Sequence, residues 1–242
     1  MCLLLLGFKK SAQLPVIVAA NRDEFYDRPT EPPQLIADRP RVLAGRDVRA
    51  GGTWLGVNEY GLLVAVTNRH TDQPEQPGLP SRGALCLEAL KCDGAEAAAV
   101  LAADHSSREP HNPFNLLAVD PDHAFVISNL DGPRPEALSP GWHVIANQAL
   151  DDVEDPRVTR AAGFAAGVDV EDPSELLSSL EAICRDHGNE NGNALCVHGK
   201  QAGTRSSSIV LISNHRRITW QHTDSAPCQE PYQRLHMPWQ RP

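Results

Sequence analysis

Residues 1–24 read MCLLLLGFKKSAQLPVIVAANRDE. Cys2–Phe8 and Pro15–Ala20 are continuous apolar runs, and the polar Lys9–Gln13 between them is turn-like. Unbroken runs of this length suit strands covered on both faces, so the chain opens as a β-hairpin. The second run passes directly into Asn21-Arg22-Asp23-Glu24, a charged tetrapeptide at the end of a buried strand.

Outward from this hairpin, residues 27–41 are rich in Pro, Asp and Arg and are expected to form a long surface loop. Gly51–Val57 and Leu62–Thr67 flank Asn58-Glu59-Tyr60-Gly61, a turn signal between two strands. After a Pro-rich loop at 71–80, helices are expected over Ala84–Lys91, capped by Ser81, and over Ala95–Ala103, capped by Asp93. Phe114–Val119 and Ala124–Asn129 flank Asp120-Pro121-Asp122, a hairpin signal, and Trp142–Ala146 is a short strand ending at Asn147. Helical patterns return at Arg157–Ala166 and Ser174–His187, the latter with Pro173 in front and Gly188 behind. Ser206–Ser213 and Arg216–Gln221 form a last hairpin. Strands, two helices, strands, two helices, strands is not the alternating βαβ order of a doubly wound sheet. It fits a layered α+β domain of two largely antiparallel sheets. Residues 1–223 are read as that domain, and 224–242, rich in Pro and polar residues, as a surface tail.

Composition bounds the function. The 242 residues carry 31 acids against 22 bases, a formal charge of −9, which argues against general nucleic-acid binding because phosphate contacts need a basic surface. No run of 18 apolar residues exists, so no transmembrane helix is expected. Leu3–Leu6 is too short for a secretory signal core, and the six scattered cysteines contain no Cys-x-x-Cys pair. A reducing, cytoplasmic location follows as the expectation. Cys196-Val197-His198, with Cys184 and His187, matches no standard zinc spacing, and these residues are read as buried thiols and a strand histidine. No phosphate-binding glycine loop is present. No metal and no cofactor are therefore expected.

The sharpest chemical feature is Cys2. Removal of Met1 ahead of this small residue exposes an α-amine with a pKa near 7.7–8.0 on the residue that carries a thiol with a pKa near 8.5. Nucleophile and candidate base then share one residue. Unassisted, the thiol is only about 3% ionised at pH 7, and a nearby guanidinium raises that fraction. If the first two strands pair, Arg22 lies close to the start of strand one.

Met-Cys at the start and Asn-Arg-Asp-Glu at 21–24 together resemble the NRDE family, also called the transport and Golgi organisation 2 family. Ala44-Gly45-Arg46-Asp47, Gly51–Gly56 (GGTWLG), Asn58–Gly61 (NEYG), Ser81-Arg82-Gly83 and Gly203–Ser207 (GTRSS) extend the resemblance over nearly the whole chain. That family is similar to the penicillin acylase and bile-salt hydrolase branch of the N-terminal nucleophile hydrolases. The resemblance implies a four-layer αββα sandwich. It also implies Cys2 as nucleophile, Arg22 and Arg205 beside it, and Asn68 and Asn147 as oxyanion donors. In the acylase branch the acidic partner lies three residues after the arginine, where this chain has Phe25. Asp23 is the first choice for that role, although Glu24 shares the strand face of Arg22.

The implied reaction is cleavage of a linear C–N amide bond in a small acylated substrate through a Cys2 thioester. Hydrolysis and acyl transfer use the same thioester and stay open. Eukaryotic members of the family are linked to haem mobilisation, lipid handling and Golgi organisation, so the alternative is a non-enzymatic haem or lipid carrier. A protein-interaction scaffold has only the Pro-rich tail in its favour. The oligomeric state is not encoded in any pattern read here.

Overall fold

The computed structural model describes residues 3–130, 132–189 and 192–240. In chain order its strands and helices are β1 (Leu3–Phe8), β2 (Val16–Phe25), β3 (Thr30–Asp38), β4 (Arg41–Asp47), β5 (Leu55–Asn58), β6 (Leu63–Asn68), α1 (Arg82–Ala89) and α2 (Ala95–Arg108). They continue with β7 (Phe114–Val119), β8 (Ala124–Ser128), β9 (Arg134–Ala137), β10 (Gly141–Ile145), α3 (Pro156–Ala165), α4 (Pro173–Cys184), β11 (Ala202–Ile212), β12 (Ile218–Thr223) and β13 (Gln233–Arg234). The class is α+β, with two antiparallel sheets, and the chain divides into two compact units.

One unit comprises Met1–Asp27 and Pro140–His236 and holds the sheet β10-β1-β2-β11-β12-β13. The opening hairpin pairs Leu3 with Asn21 through to Phe8 with Val16. Odd-numbered Leu3, Leu5, Ile17, Ala19, Ile209 and Leu211 pack against Val158 and Ala161 of α3 and Leu176, Leu180 and Ile183 of α4. Even-numbered Leu4, Leu6, Val16 and Val18 point to the other face and are buried as well, which is why the runs lack alternation. Each helix starts on an aspartate cap followed by proline: Asp155 accepts from Arg157 N and Val158 N, and Asp172 from Ser174 N and Glu175 N. Such a cap stabilises a helix by about 1 kcal/mol, and proline at the first helical position has no amide to leave unpaired. Helix α4 stops at Cys184, three residues before the expected end. Residues 224–236, the larger part of the stretch expected as a surface tail, are bound into this unit. Strand β13 extends the sheet beside β12, the Tyr232 hydroxyl lies 2.6 Å from Ser207 Oγ, and Arg185 Nε donates to the Pro227 carbonyl at 2.9 Å.

The other unit, Arg28–Ser139 with Met237–Pro242, holds a meander in which β3 to β9 lie side by side in sequence order. Helices α1 and α2 cover one face, with Leu85, Leu90, Ala98 and Ala102 against Val42, Ala44, Leu62, Val64 and Phe114. The segment 27–41, expected as a loop, is instead largely β3. It is the edge strand, where prolines are tolerated, and its ladder breaks between Glu31 and Gln34, at Pro32-Pro33, which lack amide donors. The second helix is capped by Gly94 without a side-chain bond, and the expected carboxylate is supplied from afar: Ala95 N donates to Asp120 Oδ2 at 2.8 Å. Strand β9 is a further element that the sequence reading does not contain.

Several of the motif residues are architectural. Asn58 donates to the carbonyls of Leu90 and Cys92 and accepts from Tyr60 N and Leu62 N, so one side chain ties α1's end to the β5–β6 turn. A Cβ on Gly52 would stand 2.3 Å from the Gly83 carbonyl carbon, and Thr53 N donates to Gly83 O at 3.1 Å. Only two glycines allow these backbones to meet so closely.

Candidate active site

Strand β2 sorts the Asn21–Glu24 tetrapeptide onto two faces by its alternation of side chains. Asn21 and Asp23 point to the helix side. Asn21 Nδ2 donates to the Cys184 and Leu195 carbonyls at 2.9 and 2.8 Å. Asp23 accepts from Thr204 Oγ1 at 2.7 Å and pairs with Arg157 Nη2 at 3.0 Å. Arg22 and Glu24 share the opposite face. The Arg22 side chain is only 4% exposed, and its Nη2 lies 3.5 Å from Glu24 Oε2. A buried guanidinium requires a compensating anion, and Glu24 is placed to be one.

Arg22 pairs across the sheet with Ser206 of β11, and the ladder shifts register between Thr204 and Ser206. Arg205 occupies this irregularity, and its Nη1 donates to the Tyr26 carbonyl. The next strand pairs Ser207 with Thr223 and delivers Asp224 to the same end of the sheet. Burial raises the Asp224 carboxyl above its ordinary value, while the positive charges of Arg205 and then Arg22 pull it down. Arg22, Glu24, Arg205 and Asp224 thus form one charged group. Asp224 escapes sequence reasoning because no motif surrounds it and only the β11–β12 register carries it there.

Asn147 follows β10 and is buried, 8% exposed. Its loop is folded around Asp151, which accepts from Val144 N at 2.6 Å and lies 2.8 Å from His143 Nδ1. Asn68 ends β6, in the other unit, opposite Phe114. Cys2 lies outside the described residues. Among the described thiols, burial pushes Cys86 and Cys184 up, which makes them poor nucleophiles. A cavity of about 610 Å³ in the seven-stranded unit, lined by residues such as Glu31, Arg46, Glu88 and Lys91, includes none of Arg22, Asp23, Glu24, Asn68, Asn147, Arg205 and Asp224.

These elements define a class. The chain has the fold of penicillin V acylase from Agrobacterium tumefaciens, at 16% identity and a TM-score of 0.58, over 92% of this chain and 83% of that one. A conjugated bile acid hydrolase from Clostridium perfringens gives 14% identity and a TM-score of 0.61, over 92% and 89%. An N-acylethanolamine-hydrolyzing acid amidase ortholog from Caenorhabditis elegans gives 14% and 0.57, over 87% and 92%. The fold is therefore that of the N-terminal nucleophile hydrolases. Within it, the chain belongs to the Transport and Golgi organisation 2 family, whose model matches residues 1–224. It is similar to the Transport and Golgi organization 2 homolog of Mus musculus and to the Transport and Golgi organization protein 2 homolog of Homo sapiens. Each is 28% identical over 235 residues, covering 85% of this chain and 84% of the relative. No helix among the described residues is long and apolar enough to cross a membrane.

Proposed function

We propose that the chain is a cysteine amidohydrolase of the N-terminal nucleophile type, acting on the linear amide bond of a small acylated molecule. The observation that carries this reading is the register of β1. Leu3 pairs with Asn21 on one side, and Leu4 pairs with Ile145 on the other. Arg22 follows Asn21, and Asn147 stands two residues past Ile145, so both mark the end of the sheet at which β1 starts. The even positions of β1 share the face of Arg22. In the proposed reading the Cys2 thiol, which lies outside the described residues, works with this buried guanidinium and this buried carboxamide.

In the proposed reaction, loss of Met1 frees the Cys2 α-amine. The sulfur attacks the amide carbonyl and its proton passes to that amine. Asn147 donates to the resulting oxyanion. The C–N bond breaks as the α-ammonium returns the proton to the departing amine. Water then adds to the thioester, with the α-amine as base, and releases a carboxylic acid while the thiol is restored. Arg22 favours the thiolate, and Glu24 holds Arg22. The solved neighbours support this reading through their printed activities: one is an N-acylethanolamine-hydrolyzing acid amidase, one a conjugated bile acid hydrolase and one a penicillin V acylase.

The test is intact mass, electrophile labelling and turnover on N-acyl amino acids and penicillin-type amides. The expected result is a chain without Met1, labelled at Cys2, whose turnover disappears in Cys2→Ala. A mature chain that keeps Met1, or equal turnover in Cys2→Ala, would overturn the mechanism. Tight haem binding with no turnover across the panel would overturn it in favour of a carrier.

A further inference from the structure

Four sulfur and nitrogen donors from three segments converge in the six-stranded unit. His187 lies three residues past the end of α4. Cys196 and His198 flank Val197 in the segment before β11. Cys228 comes from the turn after β12. Cys196 Sγ lies 3.7 Å from Cys228 Sγ and 3.7 Å from His198 Nε2, and His198 Nε2 lies 3.2 Å from Cys228 Sγ. The donor atoms of all four residues fall within 4.8 Å of one another.

We propose that these residues form a structural zinc site of the Cys₂His₂ type. Tetrahedral zinc, with bonds of about 2.3 Å to sulfur and about 2.05 Å to nitrogen, sets donor separations of about 3.8 Å between sulfurs and about 3.6 Å between sulfur and nitrogen. The Cys196–Cys228–His198 triangle already has nearly these edges. His187, whose donor atom lies within 4.8 Å of the other three, supplies the fourth ligand. Two thiolates and two imidazoles with no carboxylate select zinc over magnesium or calcium. On binding, each thiol gives its proton to solvent and each imidazole ligates through a neutral nitrogen, so the filled site is electrically neutral.

The framework behind the donors is fixed without using them. Leu195 N and Cys196 N both donate to the Asp186 carbonyl, at 3.0 and 2.8 Å. The Asp186 carboxylate is held by Arg160 at 2.6 and 2.7 Å and accepts from Gly188 N at 2.9 Å. Val197 N donates to Thr204 Oγ1 at 2.9 Å, Thr204 N returns a bond to the Val197 carbonyl at 2.8 Å, and His198 bridges to Gly203. Arg185 Nε holds the Pro227 carbonyl beside Cys228. A burial role does not account for the cluster, because only Cys196 of the four is buried. The zinc spacing is missing from the sequence because the fourth ligand is Cys228, thirty-two residues after Cys196. Cys184, the neighbour that proximity in sequence suggested, packs in the core.

The test uses the full chain, reduced and loaded with zinc, then desalted and assayed for metal. One zinc per chain is expected, with a zinc-dependent rise in melting temperature. Cobalt in its place should give tetrahedral ligand-field bands and thiolate-to-cobalt charge transfer. Cys228→Ser and His198→Asn should each weaken zinc binding by about 100-fold or more while keeping the melting temperature of the metal-free wild type. Failure of the reduced wild type to hold zinc, or an octahedral cobalt spectrum, overturns the proposal without reference to any variant. So does unchanged zinc affinity in both variants, or a Cys196–Cys228 disulfide, seen as a mass loss of two hydrogens, in a chain that binds no zinc after reduction.

Discussion

Arg22 and Asp23 are consecutive residues that serve opposite faces of one strand: the guanidinium meets Glu24 at 3.5 Å, while the carboxylate of Asp23 reaches Arg157 and Thr204 on the helix side. The neighbour in sequence is not the partner in space. Glu24→Gln is therefore expected to lower kcat/KM by about tenfold, a loss of about 1.4 kcal/mol, in addition to the loss of stability that follows when the buried guanidinium is left without this anion. Asp23→Asn should only destabilise the fold, by about 1–3 kcal/mol, because Arg157 and the Thr204 hydroxyl lose a charged acceptor. Paired urea melts and acyl-amide kinetics on the two variants check the separation, and the reverse pattern would assign the acidic role to Asp23.

Asn147 is buried two residues past Ile145, where the β1–β10 ladder ends. If its carboxamide serves a developing oxyanion, Asn147→Ala costs about 10²–10³ in kcat with KM little altered. Steady-state kinetics on a substrate that the wild type turns over will show this, and a change confined to KM would move Asn147 from the reaction to ground-state binding.

His222 of β12 is buried, its Nδ1 2.9 Å from Ser208 Oγ, and burial lowers its pKa to about 4. The unfolded chain takes up that proton near pH 6.5, so the neutral imidazole's contribution is intact above pH 6.5 and is lost as the pH falls from 6.5 towards 4. At its limit the loss is about 3 kcal/mol. Chemical denaturation at pH 7.5 and pH 4.5 should show a steeper decline for the wild type than for His222→Gln, and parallel declines would mean that His222 does not resist protonation.

The Gly52–Gly83 contact predicts a purely structural phenotype. Gly52→Ala forces a methyl group into backbone that has no rotamer to yield, at a cost of about 3 kcal/mol or more. A thermal melt will read it, and a shift of less than a degree would show that the two backbones separate freely.

The legible parts of the sequence were those whose signal is local. Two unbroken apolar runs gave β1 and β2, and Pro173 marked the start of α4. Strand β3 was hidden because an edge strand tolerates the very prolines that mark a loop. The cap of α2 was hidden because its carboxylate, Asp120, comes from 25 residues away. The same divide runs through the site. Arg22 and Glu24 share a face by simple alternation, which the sequence displays. Asp224 beside Arg205, and Cys228 beside Cys196, depend on how β12 and the turn after it return to β11, which no local pattern records.

The two-sidedness of β2 has a consequence for how this chain can change. Because successive residues alternate, inserting or deleting a single amino acid between Val16 and Asn21 would exchange the roles of the whole tetrapeptide, sending the arginine to the helix side and the asparagine to the opposite face. Removing two residues would restore the parity while shortening the strand. Length polymorphism in this segment is thus restricted to even steps, a parity rule enforced by the pleat itself.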